Sequence, residues 1–151
     1  MAIEGMNSLL GKLQSLANID EKLENIVGRE IQKIEGEAKT LCPVDTGNLR
    51  NSINSEVEVT SNGVEGVVFT NSEYAPYVEF GTGIKGEQSS PPSAKELGIT
   101  YKDTGWVYNN GERFYYTEGQ PAQPFLYPAL KDMEEEILTD IANEIIKILE
   151  G

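Results

Sequence analysis

Asn54-Ser55-Glu56-Val57-Glu58-Val59-Thr60-Ser61-Asn62-Gly63-Val64-Glu65-Gly66-Val67-Val68-Phe69-Thr70 is the stretch on which the fold turns. Glu56 and Glu58 alternate with Val57 and Val59, the period of two that a half-buried strand shows. Asn62-Gly63 supplies the backbone freedom of a tight hairpin, and Val64 to Thr70 returns. Upstream of it the period changes. Ile3, Met6, Leu9, Leu10, Leu13 and Leu16 recur at three and four, as one face of a short helix over residues 3 to 17 does. Asn18 and Glu21 resemble a capping box, after which Leu23, Ile26, Val27, Ile34, Ala38 and Leu41 carry a second helical stripe, with Ile31 at its edge, until Pro43 stops it. Gly28 and Gly36 each cost such a helix about 1 kcal/mol relative to alanine, so its stability has to come from packing.

Between helix and hairpin, Asp45 or Thr46 is placed to cap a short helical turn, Gly47 to relieve a strained dihedral, and Leu49 and Ile53 to anchor it. After the hairpin, Asn71 to Gly83 gathers Tyr74, Tyr77 and Phe80 around Pro76 and ends in glycines that permit a sharp change of direction. Glu79 sits between Val78 and Phe80. A carboxylate there needs either a partner, for which Arg50 is the candidate in an ion pair, or access to solvent.

Residues 84 to 105, rich in Gly, Ser, Pro and Lys with a weak helical hint at Ser93 to Leu97, read as a flexible surface loop. Trp106 to Tyr108 and Arg113 to Thr117, around Asn109-Asn110-Gly111-Glu112, read as a second hairpin. Gln120-Pro121-Ala122-Gln123-Pro124-Phe125-Leu126-Tyr127-Pro128-Ala129-Leu130 then forms a stiff proline arm, since each proline fixes φ and removes a donor. Two uses are open to Phe125, Leu126 and Tyr127: covering their own domain's core, or docking on another surface. Pro128 suits the first turn of a helix. Leu130, Met133, Ile137, Ile141, Ile145 and Ile148 stripe that helix to Glu150, and Asp132, Glu134, Glu135 and Glu136 complement its dipole from the early turns. Long helices at both ends and antiparallel β hairpins forming a small sheet between them define an α+β fold, expected as a single domain over residues 1–151.

Composition removes most chemistry. Histidine is absent and Cys42 is the only cysteine, so no intrachain disulfide, no multi-cysteine metal site and no Ser/His/Asp triad can be assembled. Cys42, between Leu41 and Pro43, reads as a small buried thiol rather than a nucleophile, because no histidine can activate it. Gly81-Thr82-Gly83-Ile84-Lys85-Gly86 lacks the Gly-Lys-Ser/Thr ending of a phosphate loop, and no spacing selects a catalytic carboxylate pair such as Asp45 with Glu79. No cofactor and no metal are expected. The net charge of −13 opposes tight wrapping of DNA or an anionic membrane. It either keeps the surface soluble or lines a passage through which a polyanion slides. No apolar run approaches the roughly 20 residues that span a bilayer. The opening Met-Ala-Ile-Glu-Gly-Met lacks the basic and apolar regions of a secretory signal, so synthesis in the cytoplasm is the expectation.

Pro43-Val44-Asp45-Thr46-Gly47-Asn48-Leu49-Arg50-Asn51-Ser52-Ile53, Tyr74-Ala75-Pro76-Tyr77-Val78-Glu79-Phe80-Gly81-Thr82-Gly83 and Pro121 to Leu130, in this order, resemble the Hong Kong 97-type tail-completion or head-tail joining family of long-tailed phages and prophages. The amphipathic opening Met1 to Leu13 is similar as well. The resemblance implies a non-enzymatic structural protein at the virion neck, a ring, commonly sixfold, around a DNA channel that DNA crosses without specific binding. It implies as partners further copies of the chain and other neck, connector and tail proteins, no membrane, and residence in the host cytoplasm before assembly. Tyr74, Tyr77, Phe80, Pro121, Pro124, Phe125 and Tyr127 are the candidate interface. A tail-terminator or minor tail protein is the alternative in the same class, and a cellular adaptor module is the more distant one.

Overall fold

The computed structural model describes residues 19–45 and 47–150. The expected helix over residues 3 to 17, the cap at Asn18 and the candidate cap Thr46 lie outside them. In chain order the elements are helix α1 (Ile19–Leu41), α2 (Asn48–Asn51), strands β1 (Ile53–Thr60) and β2 (Gly63–Thr70), and helices α3 (Ala75–Phe80), α4 (Gly83–Gln88) and α5 (Pro92–Glu96). Strands β3 (Trp106–Asn109), β4 (Phe114–Thr117) and β5 (Gly119–Gln120) follow, and helix α6 (Leu126–Glu150) closes the chain. The fold is α+β, with two separate two-stranded sheets, β1-β2 and β3-β4, in place of one small sheet. Two compact units emerge. Of the described residues, the first gathers 19–36, Asn54–Phe69 and 130–150; the second takes Glu37–Ile53 and Thr70–Ala129.

In the first unit the alternation of the hairpin has a direct structural use. Ser55, Val57, Val64, Gly66 and Val68 are partly buried, while Glu56, Glu58 and Glu65 are exposed. Helix α1 comes so close to β2 that a Cβ on Gly66 would stand 2.9 Å from Val27 Cγ1 and 3.2 Å from Ile31 Cγ1. Gly66 is therefore required by approach. The buried line of α1 is Ile26, Glu30 and Ile34, spaced by four, so a carboxylate occupies an apolar stripe. Lys33 answers it: its Nζ lies 2.8 Å from Glu30 Oε2 and 2.9 Å from Asp140 Oδ2 on α6. Arg29 reaches Glu144 at 3.8 Å. The two carboxylates hold the Lys33 ammonium well above the usual lysine range, the Glu30 hydrogen bond first and the Asp140 bond second.

In the second unit the core is Ala38, Cys42, Leu49, Ile53, Ala75, Ala94, Phe125 and Ala129. Residues 84 to 105 differ from the expected loop. They carry most of α4 and all of α5, the latter started by Pro91 in an extended conformation and Pro92 at the first helical positions, where a missing N–H costs nothing. Strands β3 and β4 pair antiparallel with Trp106 opposite Thr117, Val107 opposite Tyr116, Tyr108 opposite Tyr115 and Asn109 opposite Phe114. Asn110 shapes the turn, its Oδ1 accepting from the N–H of Glu112 and of Arg113 at 3.0 Å each.

Candidate functional site

The three segments that carried the resemblance come together in the second unit, and the reasons are local. Gly47 stands at the N-cap position of α2 with φ 83°, and among the described residues no side-chain cap is seen on that helix; Asp45, one of the two expected caps, is exposed. The left-handed backbone at Gly47, which glycine adopts without strain, turns the chain into α2. Leu49 and Ile53 are buried as the turn's anchors. Ser52 Oγ donates to the Leu49 carbonyl at 2.6 Å and shares a 2.6 Å hydrogen bond with Thr70 Oγ1, which joins the turn to the end of β2.

Helix α3 starts with Pro76 in its first turn and ends at Gly81, φ 73°. Ala75 and Glu79, four apart, face inward, while Tyr74 and Tyr77 face out. Gly81 permits the crossing that follows. A Cβ there would lie 2.6 Å from the Ala122 nitrogen and 2.7 Å from the Gln120 oxygen, so the proline arm passes backbone against backbone. The arm is tied down along its length. Gln120 N–H donates to Thr82 Oγ1 at 3.1 Å, Gln120 Nε2 to the Tyr77 carbonyl at 3.0 Å, Ala122 N–H to Ser89 Oγ at 2.7 Å, and Gln123 N–H to the Val78 carbonyl at 2.8 Å. Thr82 and Gly83 also bridge to Gln120 and Gly119.

Glu79 closes the arrangement. Its Oε2 accepts from Phe125 N–H at 2.7 Å and Leu126 N–H at 3.0 Å, and its Oε1 accepts from Tyr127 N–H at 3.0 Å. Phe125, just before α6, and its first three residues, Leu126, Tyr127 and Pro128, are the positions whose N–H groups have no partner inside the helix. Three of those donors end on one carboxylate, and the fourth residue, proline, has none to place. A carboxylate is the right group for this end, since the helix dipole concentrates partial positive charge there. Glu79 is thus a cap supplied from 46 residues away in sequence. The expected ion pair with Arg50 gives way to these bonds: Arg50 is exposed, and amides reach the buried carboxylate where a guanidinium does not. Both charges still act on Cys42. Burial pushes the Cys42 thiol up, Arg50 pulls it down, and Glu79 adds to the rise.

The candidate interface residues separate by depth. Tyr74, Tyr77 and Pro121 are exposed; Phe80, Pro124 and Tyr127 are half-buried. Phe125 is the exception, fully buried at 0% exposure, which makes it a core residue of its own unit rather than a docking side chain. The arm therefore covers its own core through Phe125 and presents Pro121 outward. Glu30 and the capping role of Glu79 were not foreseen. The i, i+4 position of Glu30 between Ile26 and Ile34 was the available signal; for Glu79 the sequence held none beyond its apolar neighbours.

Among the described residues no three carboxylate or thiol groups come together to hold a metal ion. Asp132, Glu135, Glu136, Thr139 and Asp140 line an open acidic groove along α6. Among the described residues no helix is long and apolar enough to cross a membrane. Compared with known families, residues 7–81 match the HK97-gp10-like model, described as "Bacteriophage HK97-gp10, putative tail-component". No curated protein and no solved structure matches the chain.

Proposed function

We propose that this chain, which belongs to the HK97-gp10-like family of phage tail components through residues 7–81, is a non-enzymatic subunit of the neck, joining head to tail as a ring around the DNA channel. The single observation that supports a fixed assembly part is the cross-bracing of the second unit. Helix α3 and the proline arm are held together by the bonds from Gln120 and Gln123 to the Tyr77 and Val78 carbonyls and by the Glu79 cap, with Tyr74, Tyr77 and Pro121 left outward on that base. Contact groups held on a braced scaffold lose little conformational entropy on docking. The outward carboxylates Glu56, Glu58 and Glu65 on the first hairpin suit a surface that DNA passes without sticking.

Removal of the gene from its phage or prophage, with electron microscopy of the lysate, tests the reading. Separate full heads and finished tails are the expected products. Normal tailed particles would overturn the role, and heads bearing tails of unregulated length would favour a tail terminator, the alternative that the family's tail-component description keeps in view.

A further inference from the structure

Helix α6 carries two apolar faces, and its packing in the first unit uses one of them. Ile137 is buried on the side from which Asp140 and Glu144 reach Lys33 and Arg29 of α1. Roughly 135° round the helix from Ile137, at 3.6 residues per turn, Leu138, Ala142, Ile146 and Leu149 make a second stripe at steps of four, four and three. It stays open: Leu138 is 60% exposed, Ile146 49% and Leu149 48%, and Ala142 is exposed as well. The ion pairs also fix direction. Arg29 reaches Glu144, and Lys33, one turn further along α1, reaches Asp140 and Glu136, further back along α6, so the two helices run antiparallel. The start of α1 at Ile19 therefore points to the end of α6 that carries Ile146 and Leu149.

We propose that this second stripe of α6 is the seat of the chain's own residues 3 to 16, which dock on it as a helix parallel to α6. Position selects the occupant first. The segment joins α1 through Ala17-Asn18, two residues, the length of a tight connection between antiparallel helices. A segment that folds back along α1 from Ile19 runs in the direction of α6 and starts beside its exposed end. Length agrees. From Ile3 to Leu16 a helix is about 20 Å long, and from Leu138 to Leu149 the stripe covers about 17 Å. That register sets Leu16 toward Leu149, Leu9 toward Ala142 and Met6 toward Leu138. Chemistry agrees too: Ile3, Met6, Leu9, Leu10, Leu13 and Leu16 offer one apolar face, and a helix this short is marginal in water unless such a face is packed. Glu4 and Lys12 are its only charges, so it brings no net charge to an acidic chain. The tether decides between occupants. A short connection holds the segment at an effective concentration on the order of millimolar, which a second copy or another protein has to exceed to displace it. The proposal does not depend on the neck role.

The test puts the photo-crosslinking amino acid p-benzoylphenylalanine in place of Leu138 in the full chain. Irradiation of dilute purified protein, followed by peptide mapping, is expected to give an intramolecular product attached within residues 3 to 16, in a yield that does not change with protein concentration. Leu9→Asp together with Leu13→Asp should abolish it while circular dichroism shows the chain still folded. Attachment elsewhere in the chain, no product, or a product that survives the double substitution in folded protein overturns the proposal. A covalent homodimer, or in virions a product with a different tail protein, overturns it as well, because the stripe then belongs to a partner. Should the double substitution unfold the chain, the same probe in place of Ile146 supplies the second reading: attachment within residues 9 to 16 is the expected result, and attachment anywhere else is the contrary one.

Discussion

Replacing Glu79 tests the central structural claim, that one carboxylate from α3 terminates the C-terminal helix. Glu79→Ala strands three amide donors, of which Phe125 N–H is buried and those of Leu126 and Tyr127 are partly so. A hydrogen bond to a charged group contributes about 1.5–3 kcal/mol. Water can reach the Leu126 and Tyr127 amides once the side chain is gone, so the low end applies and the cost is about 4 kcal/mol, more than the ~0.5–2 kcal/mol of an ordinary single-bond cap. For a chain of this length that lowers the melting temperature by roughly 8–16 °C. Glu79→Gln separates charge from shape. Its oxygen can replace Oε2 and keep Phe125 and Leu126, but its amide then points donors at the Tyr127 N–H, for a loss of about 1–2 kcal/mol. Urea titration followed by circular dichroism measures both, with the change read from the midpoint at constant slope. A Glu79→Ala midpoint within about 0.5 kcal/mol of wild type would refute the cap, and equal losses for Ala and Gln would show that the negative charge, not the shape of the acceptor, decides.

Phe125→Ala should cost about 3–5 kcal/mol, because the ring is fully buried; a stable variant that only loses tail assembly would restore the residue to the interface. At Gly66, alanine should destabilise by about 1–3 kcal/mol through contact with Val27 and Ile31, whereas Gly36→Ala, with open space around its Cβ, should stabilise α1 by about 0.5–1 kcal/mol; calorimetry on the pair compares them directly. Lys33 has its pKa raised in the fold by Glu30 and Asp140, so its contribution is fully present below the unfolded value of about 10.4 and is lost as pH climbs through the higher folded value. Urea midpoints from pH 7 to 11 should therefore show the Lys33→Met deficit constant up to about pH 10 and shrinking beyond it; a deficit that changes near pH 7 contradicts this. Cys42 should resist iodoacetamide at about pH 8 in the folded protein and react on addition of urea, since burial both hides the sulfur and raises its pKa.

Sequence periodicity located the long helices ending at Leu41 and Glu150 and both hairpins because these are local matters. An apolar face at steps of three and four, or alternation around Asn62-Gly63, is visible within a dozen residues. Pro43 and Pro128 marked helix boundaries for the same reason: their steric demands act on adjacent residues. The stretch from 84 to 105 escaped because α4 and α5 are short; Gly86, buried against Gly81 and Tyr101, depends on contacts distant in sequence, and composition alone favours a loop. The depth of Phe125 escaped likewise. A proline arm with aromatics is equally consistent with docking outward or folding back, and only its bonds to Val78, Thr82 and Ser89 choose between the two.

The sequence by itself determined the α+β class, the absence of histidine and of an intrachain disulfide, the acidic character and the two motifs, at Pro43–Ile53 and within Tyr74–Gly83, that fall in or at the edge of the stretch matching a phage tail-component family. Tertiary structure decided what those motifs do to one another. That Glu79 meets the start of α6 rather than Arg50 depends on a crossing at Gly81 that brings residues 46 apart within 2.7 Å. Local spacing encodes which face of an element is apolar; it does not encode which distant donors will stand unpaired beside a given carboxylate, because that is fixed only when the backbones cross.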